Sequence, residues 1–243
     1  MEPEILYQEK DFLVVNKPAG WLTHSAHKPK ALNHKPKTAE PILVDWLLER
    51  YPEVKNVGDD PEIRPGIAHR LDKDTSGVMI VARNQKAFEF FKKLFQEKQI
   101  KKTYLALARG LIKPESGRIE KPIGLKGGTV KRTVHLKNAK LVKEAITEYK
   151  VKKYFKDFTL VEAKPLTGRT HQIRVHLASI GHPVAGDNLY GKSPDQKLKT
   201  LGLTRQFLHA ESIEFSTPQG GRLKVAADIP EDLKALLEKL ASS

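Results

Sequence analysis

The chain has 243 residues, with 43 Lys and Arg against 29 Asp and Glu, which gives a formal net charge of +14. This length suffices for a substantial core, and the positive balance favours a polyanionic partner, either nucleic acid or an anionic membrane surface. Cysteine is absent, which excludes disulfides and thiolate chemistry, and neither a leader peptide nor an apolar run of roughly 18 residues is recognisable. We therefore predict a cytoplasmic protein with one domain over residues 1–243.

A hairpin and a helix are the first predicted elements. ILYQEKDFLVVNKP predicts two short antiparallel strands around a charged turn at residues 9–11. Residues 24–37 are rich in Lys and His and have no usable periodicity, which indicates a loop. ILVDWLLER follows with apolar residues on helical spacing, and Pro52 ends that helix.

The middle of the chain alternates between strands and helices. VMIVA, at the end of GIAHRLDKDTSGVMIVARN, is typical of a buried strand, and NQKAFEFFKKLFQEK predicts a helix with Asn84 as its N-cap. KKTYLALARG predicts an alternating strand. EAITEYKVKKYF and FTLVEAKPL predict two further strands, joined by a turn near residues 156–157.

The last elements complete an α+β pattern. A helix is predicted from about Thr170 to Gly181, followed by a hairpin over LHAESIEFSTPQGGRLKVAAD and an amphipathic helix over IPEDLKALLEKLA. Strands outnumber helices, and most neighbouring strands are joined by short turns. We therefore predict an α+β fold with a largely antiparallel sheet and helices packed against it.

Two carboxylates, Asp72 and Asp74, lie two residues apart in HRLDKDTSG, just before the predicted buried strand. Oxygen ligands at this spacing allow a magnesium site, although the neighbouring cations make a metal ion less favourable there. Alternatively, both carboxylates stabilise turns by accepting hydrogen bonds from nearby groups. The spacing leaves both interpretations open.

TGRTHQIRVH places Arg169 and Arg174 near the start of the third predicted helix. A helix start with basic side chains is suited to a phosphate group, whereas a buried Arg could equally bind a carboxylate through two parallel hydrogen bonds. Metal binding by His171 and His176 is disfavoured, because a spacing of five residues directs them to different sides of a helix.

Basic residues are concentrated between Lys121 and Lys156. This window holds eleven Lys or Arg against Glu144 and Glu148, a net +9. A solvated strand face seldom needs such one-sided charge, so we predict contacts with nucleic-acid backbone phosphates here.

Four stretches, in order, resemble the RluA-type family of pseudouridine synthases: HRLDKDTSG, KTYLALARG, EAITEYKV and LTGRTHQIRVHLASIGHPVAGDNLYG. The similarity runs from NKPAG near residue 16 to RQFLHA at 205–210, and the patterns HRLD-x-x-TSG and TGR-x-HQ-x-RVHL are together highly specific. The resemblance implies an isomerase that converts uridine in RNA to pseudouridine without a metal or cofactor. It also implies a mixed, mainly antiparallel central sheet, flanked by helices and loops, with a central RNA-binding cleft.

The resemblance also implies three catalytic residues. Asp72 matches the catalytic aspartate, Tyr104 the tyrosine that lies against the uracil ring and takes part in proton removal from C5, and Arg174 the arginine paired with the aspartate. The reaction breaks the N1–C1′ bond and joins C5 to C1′, so an ionised carboxylate is needed near the sugar. Two routes stay open: addition of Asp72 to C1′, or removal of a sugar proton to give a glycal-like intermediate.

Arg70 is expected to enter the space left by a flipped base. The other residues expected to bind the substrate are His69, Leu71, Thr75, Arg169, His171, Gln172, Lys131 and Arg132. The predicted partner is a stem-loop of large-subunit ribosomal RNA or transfer RNA. We infer no membrane, no obligate protein partner, no metal site and no cofactor.

Many members of this family carry a small S4-like RNA-binding domain before the catalytic one, whereas this sequence starts at the first catalytic hairpin. We therefore expect the catalytic domain to determine substrate choice. Two other classes of function stay open. One is a non-catalytic protein that binds or chaperones structured RNA on the same fold, and the other is magnesium-dependent phosphoryl transfer through Asp72 and Asp74.

Overall fold

The computed structural model describes residues 1–25, 40–129, 131–191 and 196–242. Apart from His24 and Ser25, the predicted basic loop at 24–37 lies outside the described residues. The strands are β1 (Glu4–Gln8), β2 (Phe12–Lys17), β3 (Ser76–Ala82), β4 (Lys101–Arg109), β5 (Ser116–Glu120), β6 (Ile123–Lys126), β7 (Arg132–Thr133), β8 (Ala139–Lys143), β9 (Ile146–Tyr154), β10 (Phe158–Pro165), β11 (Leu208–Ser216) and β12 (Arg222–Ala226).

Helices are fewer than strands in these ranges. They are α1 (Leu43–Arg50), α2 (Gln85–Gln96), α3 (Gln172–Ser179), α4 (Gln196–Thr200) and α5 (Glu231–Ala241), together with a 3-10 helix over Pro52–Asn56. The chain divides into two compact units, and each is built from two segments. Unit 1 contains residues 1–101 and 212–227, and unit 2 contains residues 102–211 and the chain from Asp228 onward.

An antiparallel sheet and an aromatic core form unit 1. The hairpin β1–β2 is followed by the antiparallel pair β2–β3, and β11 pairs with β12. Helix α2 begins where Asn84 accepts a hydrogen bond of 2.9 Å from the N–H of Ala87. Its buried face supplies Phe91, whose ring meets Phe12 and Phe215 edge to face at 5.2 and 5.4 Å. These contacts hold α2 against the sheet.

The larger sheet of unit 2 has the strand order β4-β10-β9-β5, and its pairs are antiparallel. Helix α3 buries Ile173 and Leu177 in a cluster with Ala106 and Ala108 of β4. The alternate residue Leu107 belongs to a second cluster, in which the leucines of α5 are buried. Because side chains alternate along a strand, α3 and α5 cover opposite faces of β4.

Strands β6, β7 and β8 form a separate three-stranded sheet in unit 2, in the order β7-β6-β8. Its buried side is small: Ile123 and Ala145 form a cluster with Val175 of α3. We call residues 123–143 the basic sheet. The sequence marked this segment only by its positive charge, because most of its side chains are polar and no long apolar alternation marks the strands.

Most predicted elements are confirmed, including both hairpins, the strand pair β9–β10, and helices α1, α2 and α5. The α+β class and the mainly antiparallel pairing are confirmed as well. Helix α3 starts at Gln172 and not near Thr170, because His171 has a left-handed backbone with a φ of 57°. Strand β5, helix α4 and the 3-10 helix were not predicted.

Candidate active site

Asp72 lies in unit 1, on the turn that leads into β3. Its backbone carbonyl accepts a hydrogen bond of 3.1 Å from the N–H of Thr75, and β3 begins at the next residue. Every residue of β3 is buried, so close packing fixes this end of the turn. The side chain of Asp72 is half-buried. The carboxylate is therefore carried by a rigid segment and remains accessible to a ligand.

A buried lysine also fixes the backbone next to Asp72. Lys17 ends β2 and is fully buried, and its Nζ donates to the carbonyl oxygens of Pro18 and Trp21 at 2.9 Å. A third bond, of 3.0 Å, reaches the carbonyl of Lys73. Hydrogen bonds to a charged donor are stronger than neutral ones. The ammonium of Lys17 thus ties the NKPAG segment to the residue that follows Asp72.

Three of the predicted substrate-binding residues of unit 1 contribute to packing. His69 Nε2 accepts a hydrogen bond of 2.9 Å from the N–H of Ile80, and its ring centroid lies 4.5 Å from that of Phe95. The His69 ring is therefore held against β3 by this hydrogen bond. Leu71 and Thr75 are both buried. These contacts shape the segment that carries Asp72.

Arg70, by contrast, is exposed. Its Nη1 donates to Nε2 of His24 at 2.9 Å. Burial lowers the pKa of His24, and the positive charge of Arg70 lowers it further. The imidazole is therefore neutral at neutral pH and can accept the hydrogen bond. The guanidinium lies at the surface, where it is available to a polyanion.

Arg174 binds a carboxylate in unit 2 that the sequence did not assign. It lies on α3, and its Nε and Nη2 donate to Oδ2 and Oδ1 of Asp187 at 2.7 and 2.9 Å. Both side chains are buried, with exposed fractions of 9% and 0%. Paired, parallel hydrogen bonds of this kind fix the plane of a guanidinium. A guanidinium has five N–H groups, so Asp187 does not use all its donors.

Asp187 is itself held in place by the backbone around it. Its Oδ1 accepts hydrogen bonds from the N–H groups of Leu189 and Tyr190 at 2.9 and 3.2 Å. Burial alone would raise the pKa of Asp187, but its hydrogen bonds and the charge of Arg174 hold that pKa below its ordinary value. The preceding Gly186 has a φ of 74°, and a Cβ there would lie 2.1 Å from a backbone oxygen. Only glycine fits this approach to the Asp187 turn.

Tyr104 lies on β4 of unit 2, directly opposite Ala163 of β10. It is half-buried and packs beside the cluster that joins β4 to α3. Its neighbours on the same strand face, Ala106 and Ala108, are small and fully buried. The ring of Tyr104 therefore packs against the core of the sheet. This packing holds it in one orientation, so that its exposed face can contact a planar ligand.

Gln172 is buried, and its side-chain amide is occupied by protein groups. Oε1 accepts from the hydroxyl of Thr167 and the N–H of Arg169 at 2.7 and 2.9 Å. Nε2 donates to the carbonyl of Ile146 and the hydroxyl of Thr147 at 2.9 and 3.0 Å. Four hydrogen bonds saturate a primary amide. Gln172 therefore fixes the shape of the turn at residues 167–169, which we call the TGR turn.

Arg169 and His171 flank the start of α3 on that turn. The Nε of Arg169 donates to the carbonyl of Glu144 at 3.0 Å, at the surface. The Nδ1 of His171 lies 2.8 Å from the hydroxyl of Tyr190, whose ring centroid is 5.3 Å from the guanidinium carbon of Arg174. Tyr190 therefore contacts both the TGR turn and Arg174.

The family profile described as RNA pseudouridylate synthase matches residues 11–179. The chain is 37% identical over 241 residues to YlyB of Bacillus subtilis, an uncharacterized RNA pseudouridine synthase, covering 99% of this chain and 73% of that protein. This chain belongs to the RNA pseudouridylate synthase family. It is also 35% identical over 246 residues to ribosomal large subunit pseudouridine synthase D of Vibrio parahaemolyticus, covering 98% and 70% of the two chains.

A solved structure, human RNA Pseudouridylate Synthase Domain Containing 1, has a TM-score of 0.72 at 28% identity and covers 99% of this chain and 93% of that chain. Family membership and this fold confirm the predicted resemblance, the α+β architecture and the enzyme class, an RNA pseudouridine synthase. The family profile includes the segments that carry Asp72, Tyr104 and Arg174.

Two further candidates for RNA binding lie where the basic sheet contacts the segment around Tyr190. The Nζ of Lys131 donates to the carbonyl of Leu189 at 3.1 Å, and the backbone N–H of Arg132 donates to the hydroxyl of Tyr190 at 2.9 Å. The Nε of Arg132 is buried and has no hydrogen-bond partner among the described residues. Such a donor is costly unless a ligand or water satisfies it.

Sequence reasoning missed Asp187, Tyr190 and the role of Lys17. Asp187 and Tyr190 lie within the family-like stretch GDNLYG, and Lys17 lies in NKPAG, so the signal was present. Their partners are remote in sequence, and spacing alone does not reveal such contacts.

The structure divides the predicted catalytic residues between the units: Asp72 is in unit 1, and Tyr104 and Arg174 are in unit 2. Over residues 1–25, 40–129, 131–191 and 196–242, no cluster of three or more His, Asp or Glu side chains is arranged to hold a metal ion. In the same ranges, no helix is both long and apolar enough to span a membrane.

Proposed function

We propose that this chain isomerises specific uridines in structured RNA to pseudouridine, with Asp72 as the catalytic carboxylate. The observation that carries the proposal is the half-buried Asp72 on a turn fixed by Lys17 and by the buried β3 strand, within the residues that the family profile matches. Rigid attachment reduces the entropy lost when a carboxylate is aligned with C1′ of the sugar. Addition to C1′ and removal of a sugar proton both use this carboxylate.

Tyr104 and Arg174 complete the proposed catalytic group. Tyr104 offers a supported ring for the detached uracil and a hydroxyl for proton transfer from C5. Arg174 is proposed to keep Asp72 ionised and oriented, and the buried Asp187 supports this role by fixing the guanidinium plane. We also propose that both units serve one catalytic domain and that the reaction needs no metal or cofactor.

Large-subunit ribosomal RNA is the first proposed substrate, and the name of the Vibrio relative supports this choice. Transfer RNA is the second. We propose that the target uridine is flipped out of its helix and that the exposed Arg70 occupies the vacated space, offsetting part of the unstacking cost. His69, Leu71, Thr75 and Gln172 are proposed to shape the site through packing. A cytoplasmic location is part of the same proposal.

The decisive experiment measures tritium release from RNA that carries tritium at uracil C5. Formation of the C5–C1′ bond expels that hydrogen into water. We expect wild type to release tritium from unmodified large-subunit ribosomal RNA, and Asp72→Asn to lose at least about a thousandfold in rate while its RNA affinity stays near that of wild type. Unchanged release by Asp72→Asn would disprove its assigned role.

Asp74→Asn is the matched control, since Asp74 is also half-buried and lies on the same turn. The proposal expects this variant to retain most of the release, and release to persist in EDTA apart from effects on RNA folding. Loss of release in both carboxylate variants and in EDTA would favour magnesium-dependent chemistry. Tight binding with no release from either ribosomal or transfer RNA would favour a non-catalytic RNA-binding protein.

A further inference from the structure

Lys102 is a basic residue close to Tyr104 that the proposed mechanism does not use. Both lie on β4, two residues apart, so their side chains project from the same face, about 7 Å apart along the strand. The Nζ of Lys102 donates to the carbonyl of Thr167 at 3.1 Å. The residue remains half-buried and not fully enclosed. Its ammonium lies beside Gly168, which is exposed, so a ligand can approach it from that side.

The charge on Lys102 is poorly compensated. In the described part of unit 2, no carboxylate forms an ion pair with its ammonium, and the charged group that acts on it is another cation, Arg169. Burial, and then the charge of Arg169, lower the pKa of Lys102 to about 8. A desolvated ammonium beside a guanidinium is unfavourable without an anion. Two cations held together in this way are suited to a negatively charged ligand.

The space beside these cations is open. Gly168 lies between Thr167 and Arg169, and the position of an added Cβ there would have the Nζ of Lys102, at 3.9 Å, as its one close contact among the described residues. Gln172 fixes the same turn through the N–H of Arg169. The two cations are thus presented by a rigid strand and a rigid turn, around a position that carries no side chain.

We propose that Lys102 and Arg169 bind a backbone phosphate of the RNA, adjacent to the uracil that Tyr104 contacts. The inference rests on the proposed function, since it takes RNA as the ligand. The phosphate would replace the missing counter-charge of Lys102 and stabilise its protonated form.

Neighbouring charged groups do not alter this assignment. Lys101 and Lys164 lie on the opposite face of the sheet, where they form ion pairs with Glu214 and Glu162 at 3.5 and 2.8 Å. Glu211 acts on Lys164 and not on Lys102.

On the same side as Lys102, α3 contributes the neutral Gln172 and the fully buried His176, whose pKa is lowered by burial. The segment before β9 contributes Glu144, whose carbonyl accepts from Arg169 and whose side chain is exposed. Among these neighbours, Lys102 is the group whose pKa lies just above neutral pH, so its charge changes in the range where phosphate binding is measured.

RNA affinity should fall as pH rises above neutral. A phosphate binds the charged ammonium, so affinity is highest below the pKa of free Lys102 and falls as pH rises through it. Between about pH 7 and about pH 9 the charged fraction falls from about 0.9 to about 0.1, so the contribution of Lys102 to RNA affinity is lost and binding should weaken several-fold.

The test measures binding of a short, fluorescently labelled RNA hairpin with uridines in its loop, at about pH 7 and about pH 9 and constant ionic strength. Binding by wild type should weaken several-fold between the two pH values. Lys102→Arg should lose this part of the pH dependence, because a guanidinium does not titrate there. Lys102→Met should bind at both as weakly as wild type does at the higher pH.

Lys101→Met is the matched control, because Lys101 is the adjacent lysine on the other face and is well exposed. It should keep the pH dependence of wild type. The same pH dependence in wild type and Lys102→Arg would overturn the inference, even if Lys102→Met failed to fold. Tritium release by wild type at about pH 7 tests the proposed isomerase separately, so the two proposals can fail independently.

Discussion

At the scale of single residues, the candidate site depends on buried charges that are compensated in different ways. Lys17 is surrounded by three carbonyl oxygens, and Arg174 by a carboxylate. In both arrangements the buried charge has hydrogen-bond acceptors around it, which offsets part of the cost of burial. Both also fix backbone next to a proposed catalytic residue, so loss of either charge should affect geometry as well as stability.

We expect Lys17→Met to lower the free energy of unfolding by about 3 kcal/mol or more, because three carbonyls that accept from this fully buried side chain lose a charged donor. Lys17→Arg should not restore it, since a planar fork cannot place its donors as an ammonium does. Urea denaturation followed by circular dichroism measures this effect. The exposed Lys10→Met should change stability by less than about 0.5 kcal/mol. Equal stability of both variants would show that the carbonyl contacts contribute little.

The residue types marked HRLDKDTSG and TGRTHQIRVH as candidates for chemistry, and they allowed an Arg on the third helix to bind a carboxylate, but the catalytic roles came from the family resemblance. The residue types did not predict that Asp187 is that carboxylate, because the pairing is set by how the chain after α3 returns to it. The contacts of Lys17 were not predicted either. Lys17 lies in the family-like stretch NKPAG, but its carbonyl partner at Lys73 is 56 residues away.

At the scale of elements, the basic sheet differs from the rest of unit 2. Its buried side contributes few apolar residues, whereas its exposed side carries Lys126, Lys140 and Lys143. It contacts the segment around Asp187 through Lys131 and Arg132. A thin sheet of this kind gains little from its own core, so its contacts with the rest of unit 2 matter to its stability.

We expect the double variant Lys131→Gln, Arg132→Gln to bind RNA more weakly and with a flatter salt dependence. Each lost phosphate contact should reduce the slope of log affinity against log salt by about 0.7 to 0.9. Binding measured across a range of potassium concentrations gives that slope. Lys234→Gln, an exposed lysine on α5, should leave it unchanged. An unaltered slope in the double variant would mean that neither residue contacts phosphate.

The elements that could be predicted are those with a strong apolar pattern. Helix α2 has its N-cap Asn84 and a continuous buried face, and β9 and β10 alternate clearly. The basic sheet escaped prediction because β7 has only two residues and β8 is almost entirely exposed. Helix α3 starts two residues later than predicted, because His171 has a left-handed backbone. Helix propensity does not indicate this conformation, which depends on local contacts.

At the scale of the whole molecule, α5 completes the core of unit 2 although it comes last in the described chain. Its leucines Leu233, Leu236 and Leu240 are buried in one cluster with Leu107 and Phe207. Three such side chains contribute about 5 to 9 kcal/mol as an upper bound, comparable to the net stability of a domain.

A chain that stops after Ala227 should therefore fail to form a stable unit 2. We expect it to bind a hydrophobic dye strongly and to lose its cooperative thermal transition. A chain that stops after Ala241 keeps the whole of α5 and should melt like the full protein. Cooperative melting of the shorter chain near the wild-type temperature would contradict this account of the core.

The interleaved segments also limit how this protein can be recombined with its relatives. The chain passes from one unit to the other after residues 101, 211 and 227, so neither unit is a continuous stretch of gene. A hybrid made with one crossover point between two family members would mix parental sequences within at least one core. Exchanging one intact unit requires all three junctions at once, and libraries designed at these junctions should yield far more folded hybrids than libraries cut at random.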